Sequence, residues 1–170
     1  MSDSPFYGKY RGTVINNIDP LQIGRIQAIV PDVSGLLPSS WAMPCAPVAG
    51  VNMGMFTVPP MGAGVWIEFE RGDPDYPIWV GGYWGSAAET PALAKAIPPG
   101  LAGITLQTTL KNGIVVSDTP GPTGGILIQT TLGAMISVSD TGIIISNGKG
   151  ATITMTGPTT DVNLGALTVI

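Results

Sequence analysis

The stretch "GITLQTT" at residues 103–109 returns as "GILIQTT" at residues 125–131. The longer segments "GITLQTTLKNGIVVSDT" (103–119) and "GILIQTTLGAMISVSDT" (125–141) align without a gap, 22 residues apart. Short Ile, Val, Leu and Thr runs separated by Gly-bearing turns form a β unit that stacks on its neighbour. Two such units cannot stand alone, because one unit does not bury its own apolar side and about three are needed for a stable stack. Successive strand residues point to opposite sides, so "ILIQTT" and "GIIIS" (142–146) carry aliphatic groups on both. A lone chain would expose one sheet face and both edges, an aggregation hazard.

Self-association about an axis parallel to the array covers that surface. The residues expected to fill the axis are Ile104, Leu106, Ile126, Ile128, Ile136, Val138, Ile143, Ile145, Ile153 and Met155, with Thr and Ser at alternate positions facing water. A narrow axial core has room for aliphatic side chains but not for indoles, and no aromatic residue follows Trp84. The later "ATITMTG" (151–157) and "GALTVI" (165–170) keep the texture of the repeat but not its phase. Spacing alone establishes that partner copies are needed and leaves their number open.

All eleven aromatic residues lie between Phe6 and Trp84, which divides the chain. The expected organisation is a first domain at 1–84, an Ala- and Pro-rich linker at 85–100 ("GSAAETPALAKAIPPG"), and a repetitive strand region at 101–170. In the first part, "KYRGTVINNI", "RIQAIVPDV", "GVWIEFE" and "PIWVGGYW" read as short strands bounded by the turns "DPLQIG" and "RGDPDY". A core of this size suits a barrel of about five strands. The fold class is therefore all-β.

Composition removes several functions. The formal net charge is −4 and no basic run occurs, so the footprint that a phosphate backbone requires is missing and nucleic acid is not an expected partner. Charged residues make up 11%, too few to cover a monomer of ordinary surface. The apolar runs fall far short of the roughly 18 residues of a membrane span, and the N-terminus lacks the apolar core of a secretory signal. The chain has no histidine, hence no Ser-His or Cys-His pair and no imidazole ligand. Neither a phosphate loop nor a dinucleotide fingerprint is present. Glu68, Glu70, Asp73 and Asp75 could form a carboxylate cluster for acid–base or metal chemistry, but a solvated strand face and turn is the favoured reading, with Asp73 capping backbone donors and Arg71 as countercharge. Cys45 reads as a small buried core residue, and Met43, Met53, Met55 and Met61 as core filling rather than a docking surface. No catalytic residue, metal or cofactor is expected.

The first part also carries a resemblance. "YGKYRGTVINNIDPLQIGRIQAIVPDV" (7–33), "WAMPCAP" (41–47) and "VPPMGAGVWIEFERGDPDYPIWVGGYW" (58–84) resemble the OB-fold domain of central spike proteins in contractile injection systems. That family comprises phage baseplate assembly protein V, the tail-spike protein of larger contractile phages, and VgrG-type spikes. The matching positions are Gly8, Arg11, Gly12, Asp19, Pro20, Gly24, Arg25, Pro31, Pro59, Gly62, Val65, Glu68, Phe69, Gly72, Asp73, Pro74, Pro77, Trp79 and Gly81.

The resemblance implies an OB-fold collar followed by an intertwined trimeric β-helix or β-prism needle. It further implies a homotrimer, docking on the tail-tube hub of a baseplate, and piercing of the target envelope when the sheath contracts. Assembly would take place in the host cytoplasm, into a phage tail or related particle. The lysozyme domain of a larger homologue has no counterpart here, so no muralytic activity is carried over. The histidine-bound iron of some spike apices has no ligands, which leaves a metal-free apex or a separate PAAR-type tip protein on a blunt C-terminal platform. The alternative is an OB-fold module that binds oligosaccharide or single-stranded nucleic acid.

Overall fold

In the computed structural model, residues 5–169 are described. The readings of a leaderless N-terminus and of a blunt C-terminal platform fall partly on Met1–Ser4 and Ile170, outside the described residues. The chain divides into two compact units, Met1–Ala87 and Ala88–Ile170.

The first unit contains β1 (Tyr10–Asn16), β2 (Gln27–Ile29), the one-turn helix α1 (Pro31–Ser34), β3 (Met43–Pro44), β4 (Ala49–Gly50), β5 (Met53–Gly54), β6 (Gly64–Phe69) and β7 (Pro77–Tyr83). Five of these strands form one sheet in the order β2-β1-β6-β7-β3, antiparallel except for the β3/β7 pair. The period of two is explicit in β6, where Val65, Ile67 and Phe69 are buried and the residues between them are not. Register shifts at Val14/Asn16 and Trp66/Ile67 add local bend. Closure comes from Ile26 and Ala42, which bridge beside β2 and β3: Ala42 N–H donates to Ile26 O at 2.7 Å, and Ile26 N–H to Ala42 O at 3.2 Å. The two ends of the sheet are thereby joined into a barrel.

Its core is Val14, Ile26, Ala28, Val30, Ala42, Val65, Ile67, Phe69 and Trp79. Phe6 and Tyr10 pack on Phe69 with ring centroids 6.2 and 5.6 Å away. Trp79 buries its polar edge by donating Nε1–H to Gly24 O at 3.0 Å.

The second unit is a meander of eight strands: β8 (Gly103–Gln107), β9 (Gly113–Ser117), β10 (Gly125–Gln129), β11 (Ala134–Ser139), β12 (Gly142–Asn147), β13 (Thr152–Thr156), β14 (Thr159–Val162) and β15 (Leu167–Val169). They pair antiparallel in strict sequence order. The 22-residue repeat is thus a hairpin, β8–β9 and then β10–β11. Asn112 ties the two hairpin turns together, its Oδ1 accepting the Thr131 N–H at 3.0 Å, and Thr131 Oγ1 donates to Leu110 O.

Residues 88–100 belong to this unit. Leu93 N–H donates to Gln107 Oε1 at 2.9 Å. A Cβ at Gly113 or Gly103 would collide with the methyl ends of Leu93 or Ile97, so these two strand glycines make room for the arm.

Candidate functional site: an uncovered aliphatic face

The register places two rows of side chains on one face of the meander. The first runs Ile104, Val116, Ile126, Val138, Ile143, Met155 and Thr160. The second runs Leu106, Ile114, Ile128, Ile136, Ile145, Ile153, Val162 and Leu167. Among the described side chains, only Thr160 interrupts this stripe with a polar group. All ten residues expected at an axis fall on it. Ile114 and Val116 also lie there, and the strand-by-strand reading leaves them out although the repeat pairs them with Ile136 and Val138, 22 residues on.

The stripe is not covered within the chain. Ile104 is 67% exposed, Leu106 63%, and Ile153 still 38%. The opposite face carries Thr105, Ser117, Ser137, Ser139, Thr152 and Thr154 between Val115, Leu127, Met135 and Ile144, and it is the better covered of the two, Val115 being buried. Covering the exposed remainder of the stripe is worth on the order of 10 kcal/mol per chain by area, comparable with what association costs in lost freedom.

The positions that carry the resemblance lie in the barrel. Asp19, a buried carboxylate, anchors the β1–β2 loop: it accepts N–H groups from Leu21, Ile23 and Arg25 at 3.0, 3.0 and 3.2 Å, and both Nε–H and Nη2–H of Arg25 at 3.0 and 2.6 Å. The guanidinium of Arg25, helped by those backbone donors and opposed by desolvation, holds the carboxyl far below its ordinary range. Arg25 also stacks over Trp41 at 5.2 Å, and Gly24 (φ 84°) lets the loop turn back into β2. Pro20 lies inside the loop. Sequence reading treats Asp19 only as a turn opener; the spacing of Asp19 and Arg25 across one loop is the signal that could have shown the clamp.

Gly12 faces Ile67 inside the barrel, and Arg11 lies over Trp66 and Tyr83 at 5.6 and 5.5 Å. Gly8 precedes β1, and Pro31 opens α1. Pro59 O accepts Asn17 Nδ2–H at 3.0 Å, and Gly62 N–H donates to Val14 O at 2.8 Å. Val65, Phe69, Pro77 and Trp79 are buried, and Gly81 sits opposite Trp66 at the β6–β7 irregularity. Gly72 O accepts the Phe6 N–H at 2.8 Å; Pro74 follows Asp73, whose Oδ1 accepts the Asp75 N–H at 3.0 Å.

The four acids do not converge. Strand β6 ends at Phe69, so Glu70 lies in a 3-10 turn rather than beside Glu68 on one strand face. Glu68 pairs with Lys9 at 2.6 Å, both substantially exposed. Among the described residues, no group of three or more His, Cys, Asp or Glu side chains is placed to hold a metal ion.

Two expectations are corrected. Cys45 is exposed, because Ala42 fills the inward position of this short segment while Cys45 hangs on the rim through its N–H to Trp79 O. Met43, Met53, Met55 and Met61 are exposed as well. Met43, Met53 and Met55 belong to the segment 43–57 and Met61 to the turn before β6, and the barrel is already filled by its own core, so these methionines have no interior to enter. Instead the segment walls a cavity of about 830 Å³ with Phe56, Trp79 and the β1–β2 loop, and among the described residues lining it none is basic.

A barrel joined to a sheet whose hydrophobic core is open defines a structural protein that works as an assembly. Two family models match. One, the type VI secretion system/phage-baseplate injector OB domain, covers residues 10–84; the other, the phage baseplate V C-terminal trimerisation domain, covers residues 103–168. No curated protein matches the chain. The chain belongs to the baseplate spike family of contractile injection systems, the family of phage baseplate assembly protein V. Its second unit is a trimerisation domain, and the assembly is a homotrimer. Among the described residues, no helix is long and apolar enough to cross a membrane.

Proposed function

We propose that the protein is the central spike of a contractile tail: the first unit docks on the hub that ends the tail tube, and the second forms the needle driven into the target envelope on sheath contraction. The observation that carries this reading is the register-aligned aliphatic stripe, which three copies cover by turning it toward a common axis. The stripe follows the stacking direction for roughly 34 Å, eight strands at about 4.8 Å spacing. Strand twist of about 20–25° per step makes three such sheets wind around one another.

Each interior strand spends its backbone hydrogen bonds on neighbours in its own chain, so the copies interlock through side chains. Axial load passes from strand to strand within each sheet, and the buried stripe keeps the sheets from splaying. The rigid β1–β2 loop and the methionine-bearing hairpin supply apolar surface for the hub, and a separate PAAR-type protein would cap the tip. The oligonucleotide-binding alternative is disfavoured because the described residues lining the barrel cavity include no basic group to meet a phosphate backbone, although Phe56 and Trp79 supply aromatic surface.

The test is the solution mass of the full chain and of a chain ending at Ala87. Three times the 17.4 kDa chain mass, reduced to one in the shortened protein, supports the spike. A soluble full-length monomer returns the barrel to the binding-module reading.

A further inference from the structure

The meander has two dissimilar flanks. Turns 108–112, 130–133, 148–151 and 163–166 lie on the first, and connections 118–124, 140–141 and 157–158 on the second, because consecutive antiparallel strands turn at alternate sides. Leucines tip three of the four first-flank turns: Leu110, Leu132 and Leu164, exposed at 71%, 81% and 89%. Both lysines of residues 101–170, Lys111 and Lys149, stand on the same flank. The second flank has no large aliphatic side chain; it carries Asp118 and Asp140 among Thr, Pro and Gly.

We infer that each first flank docks into the second flank of the next copy, forming three lateral seams in which leucine tips seat between the partner's connections and lysines meet aspartates. The inference rests on the spike reading above. With the stripe of each sheet turned toward a threefold axis, rotation by one third of a turn brings unlike flanks together at every junction, a head-to-tail contact that closes. Heights along the axis agree. The Leu132 turn joins β10 to β11, midway between connections 118–124 and 140–141. Lys149 lies one strand spacing, about 4.8 Å, from the level of the Asp140 connection, and the Lys111 turn is one spacing from the 118–124 connection. Within one chain these partners are separated by the strand length, about 17–20 Å, so they meet only between copies. Leu164 sits at φ 55°, a left-handed conformation that disfavours a branched residue with no contact to make.

The experiment uses the full chain, with mass followed by light scattering over a dilution series. Leu132→Asp alters a solvent-exposed turn and leaves the fold of the single chain intact by circular dichroism. It should raise the concentration of half-dissociation at least about tenfold. Lys149→Asp and Asp140→Lys should each weaken the trimer, and the double reversal should bring it back to within about threefold of the parent, since the pair is restored between copies. Asp140→Asn separates loss of charge from loss of the hydrogen bond that Asp140 Oδ2 accepts from Gly121 N–H. Carbodiimide treatment of the unsubstituted chain should couple Lys149 to Asp140 across copies, giving covalent dimers and trimers on a denaturing gel. A trimer indifferent to all these changes, a trimer weakened by the single reversals but not rescued by the double one, or a trimer without cross-linking overturns the seams while the spike reading stands. A monomeric parent chain overturns both.

Discussion

The barrel closes over Ile67 and Trp79 within one chain, whereas the meander holds Ile104 and Leu106 out to solvent. The two units use the same period-of-two alternation and differ in what their strands face. In the first, aromatic rings and a sheet joined at Ile26 and Ala42 fill a closed interior. In the second, eight strands in sequence order make a ladder with no return path, so its aliphatic stripe stays open in the single chain. A face that is open in the monomer makes the stability of the second unit depend on assembly, and so on chain concentration.

That contrast can be broken at its strongest point by Ile128→Asp. A carboxylate in the middle of the stripe would be buried three times without a partner, so the mass should fall to that of one chain while the barrel keeps its own thermal transition. In the barrel, Ile67→Ala removes a fully buried side chain and should cost about 2–5 kcal/mol in that unit's unfolding. Calorimetry of the full chain should show the barrel transition moving down with the trimer mass unchanged.

The smallest expected effect concerns acid. Because the folded pKa of Asp19 lies below its ordinary value of 3.8, the clamp contributes its full stability above that pH and loses it as the pH falls toward the folded-state value. Barrel melting between pH 5 and 2 should therefore drop more steeply in the parent than in Asp19→Asn. Parallel slopes would deny the clamp its role.

The needle was the more legible unit, although it contains no motif with a chemical reading. Its two rows follow from alternation plus a 22-residue offset, and neither depends on distant residues. Even Ile114 and Val116 were reachable by shifting Ile136 and Val138 back one repeat. The barrel was legible as a family likeness and as strand order, but its details are tertiary. Nothing local distinguishes Cys45 from a core residue until Ala42 is seen to occupy the inward place. Met43, Met53, Met55 and Met61 look like core because the sequence does not reveal that the barrel is already full. Residues 85–100 read as a linker from composition alone, while the fit of Leu93 and Ile97 over Gly113 and Gly103 depends on two side chains that those glycines lack.

The strict sequence order of the meander also makes the needle a modular object. Each hairpin contacts only the one before and the one after, so its strand pairings are as local as antiparallel structure allows, and the ladder can grow from any turn. Adding one more 22-residue copy would lengthen it by two strands, about 10 Å, while returning both aliphatic rows to the same face and the leucine tip to the same flank. The length of the trimerisation unit can therefore change by whole hairpins without redesign of its aliphatic face.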